Sequence, residues 1–281
     1  MKSKVITAGQ LADFKRYLME EERSAATQEK YLREVTQFFV WLNGAPVSKA
    51  AAADWKAHLL QQGYAPATVN GKLTALDRFL NFLGRGDCRV RHLRLQRRLF
   101  RDSGRELTRE EYERLITAAE HTGKARLALL MESICSTGIR VSEVSYLTVE
   151  AARMGKAEIS MKGKIRTILL PGKLCRKLLK YAGKQQITSG GIFLARGGGP
   201  LSRKQIWYDM KAVCEAAGVA PGKVFPHNLR HLFARSFYRV SRDVAKLADV
   251  LGHSSIETTR IYLISTGAEH AKTLEQLRLI S

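Results

Sequence analysis

Four short stretches of this chain gather side chains that could act on a phosphate group. They are Thr137-Gly138-Ile139-Arg140-Val141-Ser142-Glu143, Met161-Lys162-Gly163-Lys164, Pro226-His227-Asn228-Leu229-Arg230-His231, and Leu251-Gly252-His253-Ser254-Ser255 followed by Thr258-Thr259-Arg260-Ile261-Tyr262. A guanidinium presents paired N–H donors that match phosphate oxygens. A histidine changes protonation near neutral pH. A phenol is a latent oxygen nucleophile. Taken singly, each stretch also has an ordinary reading. Arg140 would be a surface arginine beyond a glycine helix stop. His227 would cap a helix start, Arg230 and His231 would lie on a solvated face, and Gly252 would be a C-cap. Tyr262 would pack its ring and leave its hydroxyl wet.

The charge of the whole chain narrows the choice. Its 281 residues hold 47 Lys+Arg against 26 Asp+Glu, a net charge of +21. An excess that large implies a polyanionic partner, nucleic acid first. Hydrophobic types make up 45% of the chain, which excludes disorder and collagen-like structure for its bulk. No run of 18 apolar residues occurs, so no membrane-spanning helix is expected. The apolar stretch after Lys2 and Lys4 breaks at Gln10, Asp13 and Lys15, so no secretory signal is expected. Cys88, Cys135, Cys175 and Cys214 form no Cys-x-x-Cys pair and have no histidine at zinc spacing, which reads as reduced, structural cysteines. The expected location is cytoplasmic and nucleoid-associated. Gly197-Gly198-Gly199-Pro200 lacks the following Lys-Ser/Thr of a nucleotide-binding loop.

The length suggests two domains at about 150 residues each. Residues 1–84 read as four helices in a bundle. Leu11, Phe14, Tyr17 and Leu18 keep helical spacing. Thr27 is expected to cap a helix carrying Tyr31, Val35, Phe38, Phe39 and Leu42, ended by Asn43-Gly44. Ser48 opens a third helix with Trp55, Leu59 and Leu60 inward, closed by Gly63, and Pro66 opens a fourth carrying Leu73, Leu76, Phe79, Leu80 and Leu83. Residues 85–105 have no apolar stripe and read as an arginine-rich linker, with Arg89, Arg91, Arg94, Arg97, Arg98 and Arg101 as candidate DNA contacts. Residues 106–281 form the second domain. Thr108-x-x-Glu111 is a capping box, followed by a helix to about Glu120 and another over Lys124–Cys135. Residues 157–170 read as a β-hairpin around Gly163. Helices are expected over Lys173–Tyr181, Arg203–Ala216, His227–Val240 and Asp243–Leu251, with a tail helix carrying Leu274, Leu277 and Ile280.

The four stretches, in this order and in a basic chain, resemble the tyrosine recombinase (phage integrase) family over residues 106–265. Thr-Gly-Ile-Arg-x-Ser-Glu looks like the family's first arginine box. His-x-Leu-Arg-His looks like its second. Leu-Gly-His-Ser-Ser with Thr-Thr-x-x-Tyr looks like its nucleophile segment. Leu263-Ile264 departs from the frequent Thr-His after the tyrosine. The nearest subgroup looks like the simple Xer-type and mobile-element enzymes, and no further domain is expected ahead of residue 1. The resemblance implies a mainly α fold with a small β-hairpin or sheet. A four-helix core-binding (SAM-like) domain and an α+β catalytic domain would form a C-shaped clamp on DNA.

It also implies site-specific DNA recombination through a 3′-phosphotyrosyl intermediate, without ATP, cofactor or metal. Tyr262 would be the nucleophile, and Arg140, Lys162, His227, Arg230 and His253 the supporting catalytic set. Glu143 and His231 would stand behind them. Spacing alone does not separate Lys162 from Lys164 as the proton donor to the leaving oxygen; the resemblance favours Lys162. The partner would be double-stranded DNA bound by a homotetramer, a pair of dimers exchanging C-terminal tails. Two other readings fit the charge: a catalytically silent DNA-binding protein of the same fold, and a type IB topoisomerase-like enzyme. Relaxation of a plasmid lacking any target site would separate the latter from a recombinase.

Overall fold

The computed structural model describes residues 5–95, 103–161, 164–262 and 275–276. The chain divides into two compact units, one through Arg97 and one from Arg98. The described elements are mostly helical, with one two-stranded antiparallel sheet, as the sequence leads one to expect.

In the first unit, α1 (Ala8–Glu20), α2 (Ala25–Leu42), α3 (Lys49–Gln61) and α4 (Pro66–Phe82) bury Phe14, Leu18, Val35, Phe38, Trp55, Leu59, Leu73, Phe79 and Leu80 in one core. Burial of these apolar faces, at about 25 cal/mol per Å², is what holds four short helices together. Two expectations shift. The α2 helix starts one turn upstream of Thr27, because Thr27 N already bonds Ser24 O (2.8 Å) and Ser24 takes the N-cap position. Leu60 is 42% exposed rather than inward. The inner face of α3 runs through Ala52, Trp55 and Leu59, and the next residue is turned about 100° away from it. Part of the arginine-rich stretch also belongs to this unit. Cys88 is buried, Val90 and Leu93 pack on the bundle, and Asn70 clamps Leu93 by bonds to its carbonyl (2.9 Å) and its N–H (2.8 Å).

In the second unit, α5 (Arg109–His121) begins with the full reciprocal capping box of Thr108 and Glu111. The apolar helix α6 (Ala125–Thr137) runs through the centre of the core, where Leu127, Leu130, Met131 and Ile134 are buried. A 3-10 turn (Val141–Tyr146) and α7 (Val149–Met154) lead into β1 (Lys156–Met161) and β2 (Lys164–Leu169), paired with Ile159 opposite Arg166. Helix α8 (Gly172–Lys184) follows, then α9 (Arg203–Lys211). The α9 helix stops short of the expected Ala216 because the chain tightens into i−3 bonds, Val213 N to Met210 O and Cys214 N to Lys211 O. Helices α10 (Pro226–Ser241), α11 (Val244–Leu251) and α12 (Ile256–Arg260) complete the unit. The four cysteines are free. Among the described residues no helix is long and apolar enough to cross a membrane.

Candidate active site

Each element of the site is aimed by a local backbone device. Helix α6 ends on Gly138 in the left-handed conformation (φ +65°). A Cβ there would stand 2.4 Å from Cδ1 of Phe233 and 3.0 Å from Leu251, so both the turn and the packing require glycine. The turn delivers Arg140. Glu143 then holds Arg140 twice, accepting its backbone N–H (2.9 Å) and its Nη1 (3.0 Å).

Helix α10 starts on Pro226, whose missing N–H is no loss at a first-turn position. Asn228 pins this start by donating to the carbonyls of Arg105 (2.8 Å) and Lys223 (2.7 Å). His227, Arg230 and His231 then share one face by their i, i+3, i+4 spacing. Arg230 is 2% exposed, the largest fully buried side chain among the described residues. It donates to the carbonyls of Gly138 and Leu251 (2.8 Å to the latter) and to Nε2 of His253 (3.0 Å).

Helix α11 ends on Gly252 (φ +62°), which lets His253 N bond back to Ala248 O (2.9 Å). The His253 ring is thereby fixed between Arg230 and Thr259 Oγ1 (2.8 Å from Nδ1). A guanidinium only donates, so Nε2 accepts and the Nδ1–H donates to Thr259. Burial, and then the charges of Arg230 and Arg140, lower the His253 pKa to about 4, which keeps this neutral tautomer. His227 is lowered by the same causes in the same order, the protein packed around it first and the two arginines after. Burial would raise the Glu143 carboxyl, but the Arg140 N–H and the Arg166 charge outweigh it and hold it below the usual range.

Tyr262, one turn after the buried Thr259, is 5% exposed. Its ring centroid lies 4.4 Å from that of His231, 5.7 Å from His253 and 5.9 Å from His227. Burial and the Arg140 charge lower the Arg230 pKa, and the Tyr262 phenol works against them. Ala234, Leu247 and Leu251 form the apolar floor beneath it. The structure thus brings Arg140, Glu143, His227, Arg230, His231, His253 and Tyr262 into one cluster from three separated stretches of chain.

Lys162 lies outside the described residues, as do Arg97, Arg98, Arg101 and the tail positions Leu274, Leu277 and Ile280. Arg89, Arg91 and Arg94 are exposed on the first unit, with Arg89 3.6 Å from Asp77. Among the described residues no group of His, Cys, Asp or Glu is placed to hold a metal ion. The sequence reading missed Thr259 and Arg166. Thr259 was signalled by its place one turn before Tyr262. Arg166 was signalled by an inward strand position, shared with Ile168, that would ordinarily be apolar.

The lowered histidines make a stability prediction with a definite sign. A histidine held neutral in the fold charges more readily once unfolded, so acid favours unfolding. The contribution is complete above the ordinary value of about 6.5 and is lost as pH falls from there towards about 4. The thermal midpoint is expected to drop across that window, and less steeply in His253→Gln, whose amide oxygen can still accept from Arg230. Identical slopes in the two proteins would contradict the assignment.

Residues 105–269 match the phage integrase family, and residues 11–86 match the phage integrase N-terminal SAM-like domain. The chain belongs to the phage integrase family. Among curated proteins it is 29% identical to tyrosine recombinase XerA of Thermococcus kodakarensis, covering 96% of this chain and 95% of that one. Among solved structures it is similar to the XerH site-specific recombinase bound to difH substrate, with TM-score 0.70 and 19% identity over 95% of this chain and 84% of that one. It is also similar to a lambda integrase tetramer bound to a Holliday junction, with TM-score 0.74 and 21% identity over 93% and 78%. These structural likenesses bear out the mainly helical fold.

Proposed function

We propose that this chain, a tyrosine site-specific recombinase acting on DNA, cuts and rejoins strands with Tyr262. The phenol oxygen attacks the scissile phosphorus, the bond from phosphorus to the 5′ oxygen breaks, and a 3′-phosphotyrosyl link and a free 5′ hydroxyl result. The link retains the phosphoester bond, so a 5′ hydroxyl from a partner strand reverses the step without ATP.

Each residue of the cluster has a part. The transition state gathers charge on the non-bridging oxygens, where Arg140 and Arg230 donate paired N–H groups. A phenol with a reference pKa of about 10 is protonated at pH 7, and neutral His227 takes its proton. Lys162, or Lys164 on the same hairpin, gives a proton to the departing 5′ oxygen. In the free protein His253 serves as the acceptor that orients Arg230, Glu143 orients Arg140, and His231 supports the nucleophile's ring.

Exchange between two duplexes breaks four strands. With one nucleophilic tyrosine per chain that takes four chains, a pair of dimers on DNA, with the tail beyond residue 268 as the exchanged segment. Exposed arginines such as Arg89, Arg91 and Arg94 supply phosphate contacts, so affinity falls steeply with salt. The work is done at the chromosome, consistent with a nucleoid-associated location.

The observation that carries this reading is the position of the Tyr262 ring, within 6 Å of three histidine rings of its own chain, one of them bonded to the buried Arg230. The test is incubation with a nicked target duplex, on which the short 5′ fragment diffuses away and the covalent complex accumulates. A protein–DNA band that survives denaturation, with the nucleotide mapped to Tyr262, is the expected result. A protein that binds the same duplex and never forms that band would be the silent binder instead.

A further inference from the structure

Arg166 takes no part in the mechanism above, yet it touches three of its components. It sits in β2 opposite Ile159, on the strand face that also buries Ala157 and Ile168. Its Nη2 donates to Glu143 Oε2, the oxygen that also accepts the Arg140 backbone N–H. Its Nη1 donates to the carbonyl of Leu251, which Arg230 shares (2.8 Å). Its aliphatic stem lies against the turn that presents His253. A Cβ on Gly252 would stand 2.6 Å from both Cδ and Nη1 of Arg166.

This is a costly choice for a core strand. Its Nε is buried with no hydrogen-bond partner, an expense an aliphatic side chain would avoid. A buried arginine is weak evidence for stability, since a well-packed apolar residue often serves as well or better. What an apolar residue cannot do is join a carboxylate to a carbonyl on another element.

We propose that Arg166 is a positioning residue for strand cleavage, a strut that locks the Arg140–Glu143 pair, the Arg230 carbonyl partner and the His253 turn into one rigid unit. The proposal rests on the assignment of Arg140, Arg230 and Tyr262 given above. Without Arg166, Glu143 keeps only Arg140 as its cation, and the pair can rotate away from the phosphate. The Leu251 carbonyl keeps only Arg230. The two acceptors that hold Arg140 and Arg230 are then each left without the second guanidinium that fixes their own position, and displacement by about 1 Å costs about 10²-fold in rate.

The experiment uses the full chain, the nicked duplex and a second duplex whose scissile phosphate is a methylphosphonate. That centre is neutral and has less need of a placed guanidinium. In Arg166→Met the initial rate of covalent attachment to the ordinary duplex is expected to fall about 10²-fold, with DNA affinity held within about threefold. Strand scission of the methylphosphonate is expected to suffer far less, so the ratio of the two rates shifts as it does in Arg140→Ala. Arg166→Lys, which keeps the charge but cannot reach both acceptors, is expected to fall between Met and wild type. A ratio unchanged from wild type, or wild-type attachment by Arg166→Met, overturns the proposal. Should Arg166→Met fail to fold, the same ratio measured on Arg166→Lys decides. Absence of any covalent band in the wild-type protein would instead overturn the Tyr262 assignment, so the two failures are distinct.

Discussion

Tyr262→Phe is expected to abolish covalent attachment to DNA while leaving fold and DNA binding close to wild type. The substitution removes one oxygen and keeps the ring. The tilted ring contact with His231, at 4.4 Å, and the packing on Ala234, Leu247 and Leu251 do not depend on that oxygen. Arg230 retains its carbonyl partners on Gly138 and Leu251 and its bond to His253. Stability should therefore change by no more than about 1 kcal/mol. The measurement is the denaturing gel on a nicked duplex beside a binding titration on the same DNA. A surviving covalent band would assign the nucleophile to another residue.

Arg140→Ala and Arg230→Ala are each expected to lose far more rate than affinity. A donor aimed at developing charge contributes about 10²–10³-fold when deleted alone. A single phosphate contact is only one of many in the binding energy of so basic a chain. The two variants differ in a way the structure foretells. The Arg140 side chain is 40% exposed, and its removal leaves Glu143 still paired to Arg166. The fold should survive, so Arg140→Ala reports on chemistry almost alone. Arg230 is buried at the junction of α6, α10 and α11, and its loss strips the Gly138 and Leu251 carbonyls of a donor and opens a cavity. A stability loss of several kcal/mol, about 3–5, should accompany the kinetic defect. Covalent-attachment rates at saturating DNA, compared with the dissociation constant from the same titration, separate the two effects. Equal losses in rate and affinity would reduce both arginines to phosphate anchors.

The site was readable where local backbone rules dictate position. Gly138 and Gly252 stop helices in a left-handed turn, and the residue types around them follow from that geometry. The spacing of His227, Arg230 and His231 places them on one helical face whatever the tertiary structure. Contacts made across long separations were not readable. Arg166 reaches Glu143 across 23 residues and Leu251 across 85, and nothing local to β2 names either partner. The same limit explains Leu60, where a helical stripe one residue too wide could be trimmed only by knowing that Trp55 and Leu59 already fill the inner face of α3. It explains the arginine-rich stretch too. Its composition signals solvent, yet Cys88, Val90 and Leu93 pack on the bundle because Asn70 captures the backbone beside them.

Two inactive variants, mixed, put the central geometry to the test most directly. The tyrosine and the arginines gathered in the cluster belong to one chain. Tyr262→Phe supplies intact arginines without a nucleophile, and Arg140→Ala supplies a nucleophile without its arginine. If each phenol works only beside its own guanidinium groups, an equimolar mixture on the nicked duplex forms no more covalent complex than Arg140→Ala alone. Recovery of attachment towards half the wild-type level would show that the phenol serves a neighbouring chain, and that the cluster seen within one chain is not the one that cuts DNA.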